Sequence, residues 1–132
     1  MKPMTELWLK AAEDDLRVVA RIASDEYLTH MVAFHAQQCI EKSLKAIIEE
    51  YELGHLRVHN LGRLFEIVRP KVTLAADVVL IEKMDKLYID ARYPGELGLL
   101  PNGKPTRADA QQFYDCAKSI YEQVKRILDP GQ

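Results

Sequence analysis

At 132 residues, with a formal net charge of -2 and a pI near 6.1, the chain has the size of one domain and lacks the basic footprint of a general nucleic-acid binder. Hydrophobic residues make up 48% and charged residues 29%, a balance that excludes a disordered polymer. The two cysteines, Cys39 and Cys116, form no CxxC and no Cys/His cluster, so reduced buried thiols are expected, with no disulfide framework, no metal site and no cofactor.

The chain enters an amphipathic segment at once, and neither a signal peptide nor a run long enough to span a bilayer is expected, which implies a cytoplasmic setting. Thr5 is the expected N-cap of helix 1. Leu9, Ala12, Leu16, Val19 and Ala23 then recur at helical spacing, and the helix should end near Ser24. Trp8 borders this stripe and reads as a packing anchor.

Ser24 or Asp25 is the expected cap of helix 2, which should run from about Leu28 to Glu50 or Tyr51 and be ended by Gly54. Its core stripe is Ala36, Ile40, Ser43 and Ile47. Beside it, Phe34, Gln38, Glu41 and Lys45 repeat with the same spacing, placing a polar row along the edge of the buried face. A solvated face would be filled with Lys and Glu; glutamines and a histidine, His35, stand here instead.

Asn60 is the expected N-cap of a short helix 3, with Leu61, Leu64, Phe65 and Val68 on its apolar face and Pro70 beyond its end. Thr73 should cap helix 4, whose stripe is Leu80, Met84, Leu87 and Ala91. A second row of that helix, Val78, Ile81, Asp85, Tyr88 and Arg92, turns from apolar to polar toward its C-terminal end. Arg92 is also where a cation suits the helix dipole. Pro94 stops the helix at about Arg92 and opens an irregular stretch to Pro105 that carries no phosphate-loop pattern.

Thr106 and Asp109 form an expected capping box for helix 5. Its seam is Ala110, Phe113, Ala117, Ile120, Val124 and Ile127. No strand-period segment or internal repeat occurs. The expected architecture is therefore all-α: a single domain, 1–132, forming an antiparallel up-and-down bundle of four long helices plus one short helix.

Phe34-His35-Ala36-Gln37-Gln38, Glu41-Lys42, Lys45-Ala46, His59-Asn60-Leu61 and Ala91-Arg92-Tyr93-Pro94, with Trp8, Ala11 and Leu16 in helix 1, together resemble the HEPN domain family over nearly the whole chain. The resemblance implies a small bundle, commonly a homodimer, often paired with a minimal nucleotidyltransferase in toxin–antitoxin or nucleotide-handling systems. Many such proteins are metal-independent ribonucleases that use an arginine followed, after four to six residues, by a histidine. Here no arginine is so followed, and the catalytic pair is not carried over. Arg21 and Tyr27 match a tyrosine variant of that motif, but at the end of helix 1, away from the family's site.

The residues then support a groove in which Arg92, Tyr88 and Asp85 face Gln38, Glu41 and His35 and bind a nucleotide or an RNA phosphate. The competing explanation is a buried polar network that fixes helix register or a dimer seam. Three functions follow: a HEPN-type protein binding nucleotide or RNA and acting with a minimal nucleotidyltransferase; a metal-independent endoribonuclease using Arg92 with His35 or Tyr93; or a non-catalytic dimerisation module. His30 and His55 are expected at the surface, and His59 is expected to orient the turn before helix 3.

Overall fold

The computed structural model describes residues 1–54, 57–92 and 104–131; for 88–92 it describes the backbone alone. Five helices and no strand occur among the described residues: α1 (Pro3–Ile22), α2 (Thr29–Tyr51), α3 (Leu61–Val68), α4 (Val78–Arg92) and α5 (Arg107–Leu128). The all-α bundle of four long helices and one short one is thus present. No described helix is long and apolar enough to cross a membrane.

Helix α2 is the axis of the molecule, packing against α1, α5, α3 and α4. Its predicted stripe of Ala36, Ile40, Ser43 and Ile47 is fully buried. So are Cys39, Leu44 and Ala46 from other sides of the helix, because neighbours cover α2 almost all round. The α5 seam meets it through Phe113, Ala117, Ile120 and Val124, all inaccessible to solvent. Thr106 accepts from the Asp109 amide at 3.0 Å while the Asp109 carboxylate accepts from the Thr106 amide at 3.0 Å, completing the expected capping box.

Several boundaries differ from the sequence expectation, each for a local reason. Helix α1 starts at Pro3, whose fixed φ and missing N–H suit the first helical position. Thr5 therefore lies inside the helix, and its hydroxyl is buried in a 2.9 Å bond to Glu50 Oε1 on α2. Asp25 does not cap α2. Its carboxylate accepts from the Tyr27 and Leu28 amides, a local turn that delays the helix to Thr29. Glu52, at φ 53°, rather than Gly54, supplies the left-handed residue that ends α2.

Thr73 does not cap α4 either. Residues 72–77 lie outside any helix or strand, pinned to α5 by Gln123, whose amide accepts from Ala75 N at 2.8 Å and donates to Ala75 O at 2.9 Å. Asp77 then accepts from the Leu80 amide at 3.1 Å and starts the helix. The buried face of α4 consequently mixes the two predicted rows: Ile81, Met84 and Asp85 are buried, whereas Val78 is 65% exposed. The predicted end of α4 coincides with the last described helical residue, Arg92; the irregular stretch that follows, to residue 103, lies outside the described residues.

Candidate functional site

The polar edge of α2 folds into the protein rather than lining open solvent. Gln37, Glu41 and Lys45 stand four residues apart, one turn above another, and all three are buried. Glu41 is the hub. Its Oε2 accepts from Lys45 Nζ at 2.9 Å and meets His59 Nδ1 at 3.1 Å; its Oε1 accepts from Gln37 Nε2 at 3.3 Å. Gln37 also donates to the His59 carbonyl at 3.2 Å, so both backbone and ring of His59 are tied to α2. Gln38, half-buried, donates to Gln37 Oε1 at 2.8 Å and joins the network at second hand.

Beneath this network lies Trp8 of α1, with Lys45 Nζ 5.4 Å from its ring centroid, a cation–π contact that shares the buried ammonium between an anion and an aromatic face. Packing makes Trp8 the anchor its sequence position suggests. Its indole N–H is buried without a partner among the described residues.

Asp85 reaches the same corner from α4. Its two oxygens accept from the Leu61 amide at 2.7 Å and the Gly62 amide at 3.0 Å, and Asn60 accepts from the Arg63 amide at 2.9 Å. The first turn of α3 is thus capped from two elements at once. Gly62 eases this close approach, since a Cβ there would lie 3.2 Å from Asn60 Oδ1, tighter than an ordinary contact. Burial pushes the Asp85 carboxyl above the ordinary range; the two amides oppose that, and the neighbouring Glu41 charge adds to it.

His35 belongs to another cluster. It stands six residues before Glu41, about 120° round the helix. Its Nδ1 lies 2.9 Å from Asp15 Oδ1 on α1, and Asp15 Oδ2 accepts from Lys42 Nζ at 2.7 Å. Asp15 is itself buried, so this triad ties α1 to α2. Of the expected groove residues, Glu41 and Asp85 are brought together, Gln38 joins through Gln37, and His35 is bonded elsewhere. Tyr88 and Arg92 follow Asp85 on one row of α4, at intervals of three and four residues, but their side chains lie outside the description, as do Tyr93 and His55.

Sequence reasoning set Lys45 in the polar row of helix 2 without assigning it a role in the groove, and missed Gln37 and His59 as members of the site. The signal was the Glu41-to-Lys45 spacing, which reads as an ordinary surface ion pair until burial is known. His30 is half-buried rather than a surface residue. Its Nδ1 is buried without a partner among the described residues, and burial, with Lys104 nearby, lowers its pKa. Burial pushes the Cys39 thiol up to about 12 and the Cys116 thiol up to about 11, so both stay protonated at neutral pH. Among the described residues, no group of three or more His, Cys, Asp or Glu side chains could hold a metal ion.

Comparison with known proteins bears on this arrangement. The family model for the HEPN domain matches residues 5–127. A curated protein of Methanocaldococcus jannaschii, "Putative toxin MJ1304", is 27% identical over 135 residues, spanning 93% of this chain and 87% of that protein. The crystal structure of ST0689, an archaeal HEPN homologue, superposes with a TM-score of 0.71 at 27% identity, covering 98% of this chain and 100% of the other.

Proposed function

Because the chain belongs to the HEPN domain family, we propose that it is a toxin-type HEPN protein that binds a nucleotide or RNA and acts with a minimal nucleotidyltransferase partner, itself as a homodimer in the cytoplasm. The toxin part of this reading is supported by the name of its curated relative. The observation that carries the ligand part is the meeting of the polar faces of α2 and α4. Glu41 and Asp85 are buried close enough for their charges to interact, and Tyr88 and Arg92 continue the Asp85 row toward the helix end.

In this reading the corner is a phosphate site. Arg92 supplies a cation that stays charged at all working pH values and is suited to bidentate contact with phosphate oxygens. Tyr88 and Gln38 supply neutral hydrogen-bonding groups of the kind that orient a base or ribose. The overall charge of -2 fits a local site better than a broad nucleic-acid surface. RNA cleavage through Arg92 with Tyr93 or His35 is the second reading; the absence of an arginine–histidine pair at family spacing ranks it below binding.

Co-expression with the product of the neighbouring reading frame tests the partnership. An affinity-tagged chain is expected to retain a small nucleotidyltransferase at stoichiometric yield, with mass measurement giving a dimer of this chain. A monomer that retains nothing under the same conditions would sink both the partnership and the homodimer.

A further inference from the structure

We infer that the cavity between α3, α4 and residues 72–77 takes one apolar side chain of a partner protein, from a segment in which that side chain stands between an acidic and a basic residue. This names a docking surface and the chemistry of what it binds, and it holds whether or not the Glu41–Asp85 corner binds a nucleotide.

The cavity follows from how α3 is joined to α4. Asp85 of α4 bonds the Leu61 and Gly62 amides at the start of α3, and residues 69–77 return the chain from the end of α3 to Val78, so the two helices run antiparallel. The connecting residues do not close over the space between them. At one end the Lys71 and Val72 amides donate to the Val68 carbonyl at 2.9 and 3.0 Å. In the middle, Gln123 holds both polar backbone groups of Ala75 on α5. What remains is a cavity of about 420 Å³, in the size range of ligand sites. Phe65, Val68, Val72, Leu74, Val78 and Ile81 line it, and Val78 is 65% exposed. Such walls favour an apolar occupant, which takes their surface out of water. Because the connection is anchored before anything binds, docking carries little ordering cost.

Polar groups on the rim fix the rest of the ligand's chemistry. Glu66 is paired with Arg63 at 3.2 Å. Arg69 and Glu82 also line the cavity, are exposed, and have no ion-pair partner among the described residues. Arg69 follows Gly62 by seven residues and Glu82 precedes Asp85 by three. About four residues of helical rise therefore separate them along the cavity, roughly 6 Å. Two residues of extended chain cover about the same length. An extended segment of the pattern acid, apolar, base can thus seat its middle side chain in the cavity and bring its flanking charges to Arg69 and Glu82. Thr73 and Leu74 line the cavity as well, and their backbone N–H and C=O groups bond no other described residue, which leaves them open to the backbone of such a segment. An uncharged small molecule would fill the space and leave all of these groups unused.

The test is methyl NMR of the full chain at low salt, titrated with the capped peptides Ala-Asp-Phe-Lys-Ala, Ala-Asp-Phe-Asp-Ala and Ala-Lys-Phe-Lys-Ala. The mixed-charge peptide should shift the Val78 and Ile81 methyl resonances saturably, with a dissociation constant on the order of 1 mM, and bind about fivefold more tightly than either of the others. Arg69→Glu should transfer the preference to the dilysine peptide, and Glu82→Lys to the diaspartate peptide. A gain of binding for a new peptide cannot come from loss of fold, and melting curves check both variants. Methyl resonances that ignore all three peptides, equal affinity for all three, or variants that keep the wild-type preference overturn the inference. So do shifts that follow protein concentration alone, which make a second copy the occupant, and toluene binding more tightly than the mixed-charge peptide, which makes the cavity a site for small uncharged molecules.

Discussion

Glu41→Ala is expected to lower folding stability by about 3–5 kcal/mol, the usual cost of leaving one half of a buried ion pair without its partner. Lys45, 3% exposed, has Glu41 as its carboxylate partner and the Trp8 ring as its other contact. Removing the carboxylate forces the ammonium to lose its proton or to break out of the core, and it releases Gln37 and His59 together. Urea unfolding at neutral pH measures the loss. The paired replacement Glu41→Met with Lys45→Met is the informative companion, because deleting both charges removes the desolvation cost as well. That protein should lie within about 1 kcal/mol of wild type, or above it. A single-variant loss below about 1 kcal/mol would mean that the pair is effectively solvated, as surface pairs are.

Asp85→Ala is the second large effect, expected at about 2–4 kcal/mol. It strips acceptors from the Leu61 and Gly62 amides at once, the first of them in a buried bond. Its pH dependence has a definite sign. Burial raises the Asp85 carboxyl above its unfolded value, so the folded state binds a proton more readily than the unfolded one. The stability that wild type holds over Asp85→Ala is therefore fully present below the ordinary aspartate range and declines as pH rises through the raised folded value. Urea midpoints for the two proteins across the carboxylate range would show this as a narrowing gap. A gap that widens with pH would mean that the amide hydrogen bonds outweigh desolvation.

How these two carboxylates read in sequence shows where periodicity carries and where it stops. The α5 seam was legible because Phe113, Ala117 and Ile120 obey one spacing and face one neighbour, α2. The same logic found the α2 stripe but underestimated its burial. A helix covered from several sides buries Gln37, Glu41 and Lys45 as well as its apolar residues, and local spacing does not count neighbours. Thr5, Asp25 and Thr73 all have the chemistry of caps, yet each hydroxyl or carboxylate can be claimed by a tertiary or turn partner instead. Glu50 claims Thr5 and the turn claims Asp25, while Gln123 ties the segment after Thr73 to α5. In the site, Glu41 and Asp85 were legible as polar residues on otherwise apolar rows. His59 was not, because it sits outside any periodic element and is brought to Glu41 only when α3 folds back on α2.

Binding of an RNA phosphate at the α2–α4 corner is tested most directly by titrating the full-length wild type and Arg92→Ala side by side with a short single-stranded RNA at low salt. Saturable binding by the wild type, weakened about tenfold or more in Arg92→Ala with an unchanged melting temperature, is the predicted result. Equal affinity in the two proteins, or no binding by either, would contradict it.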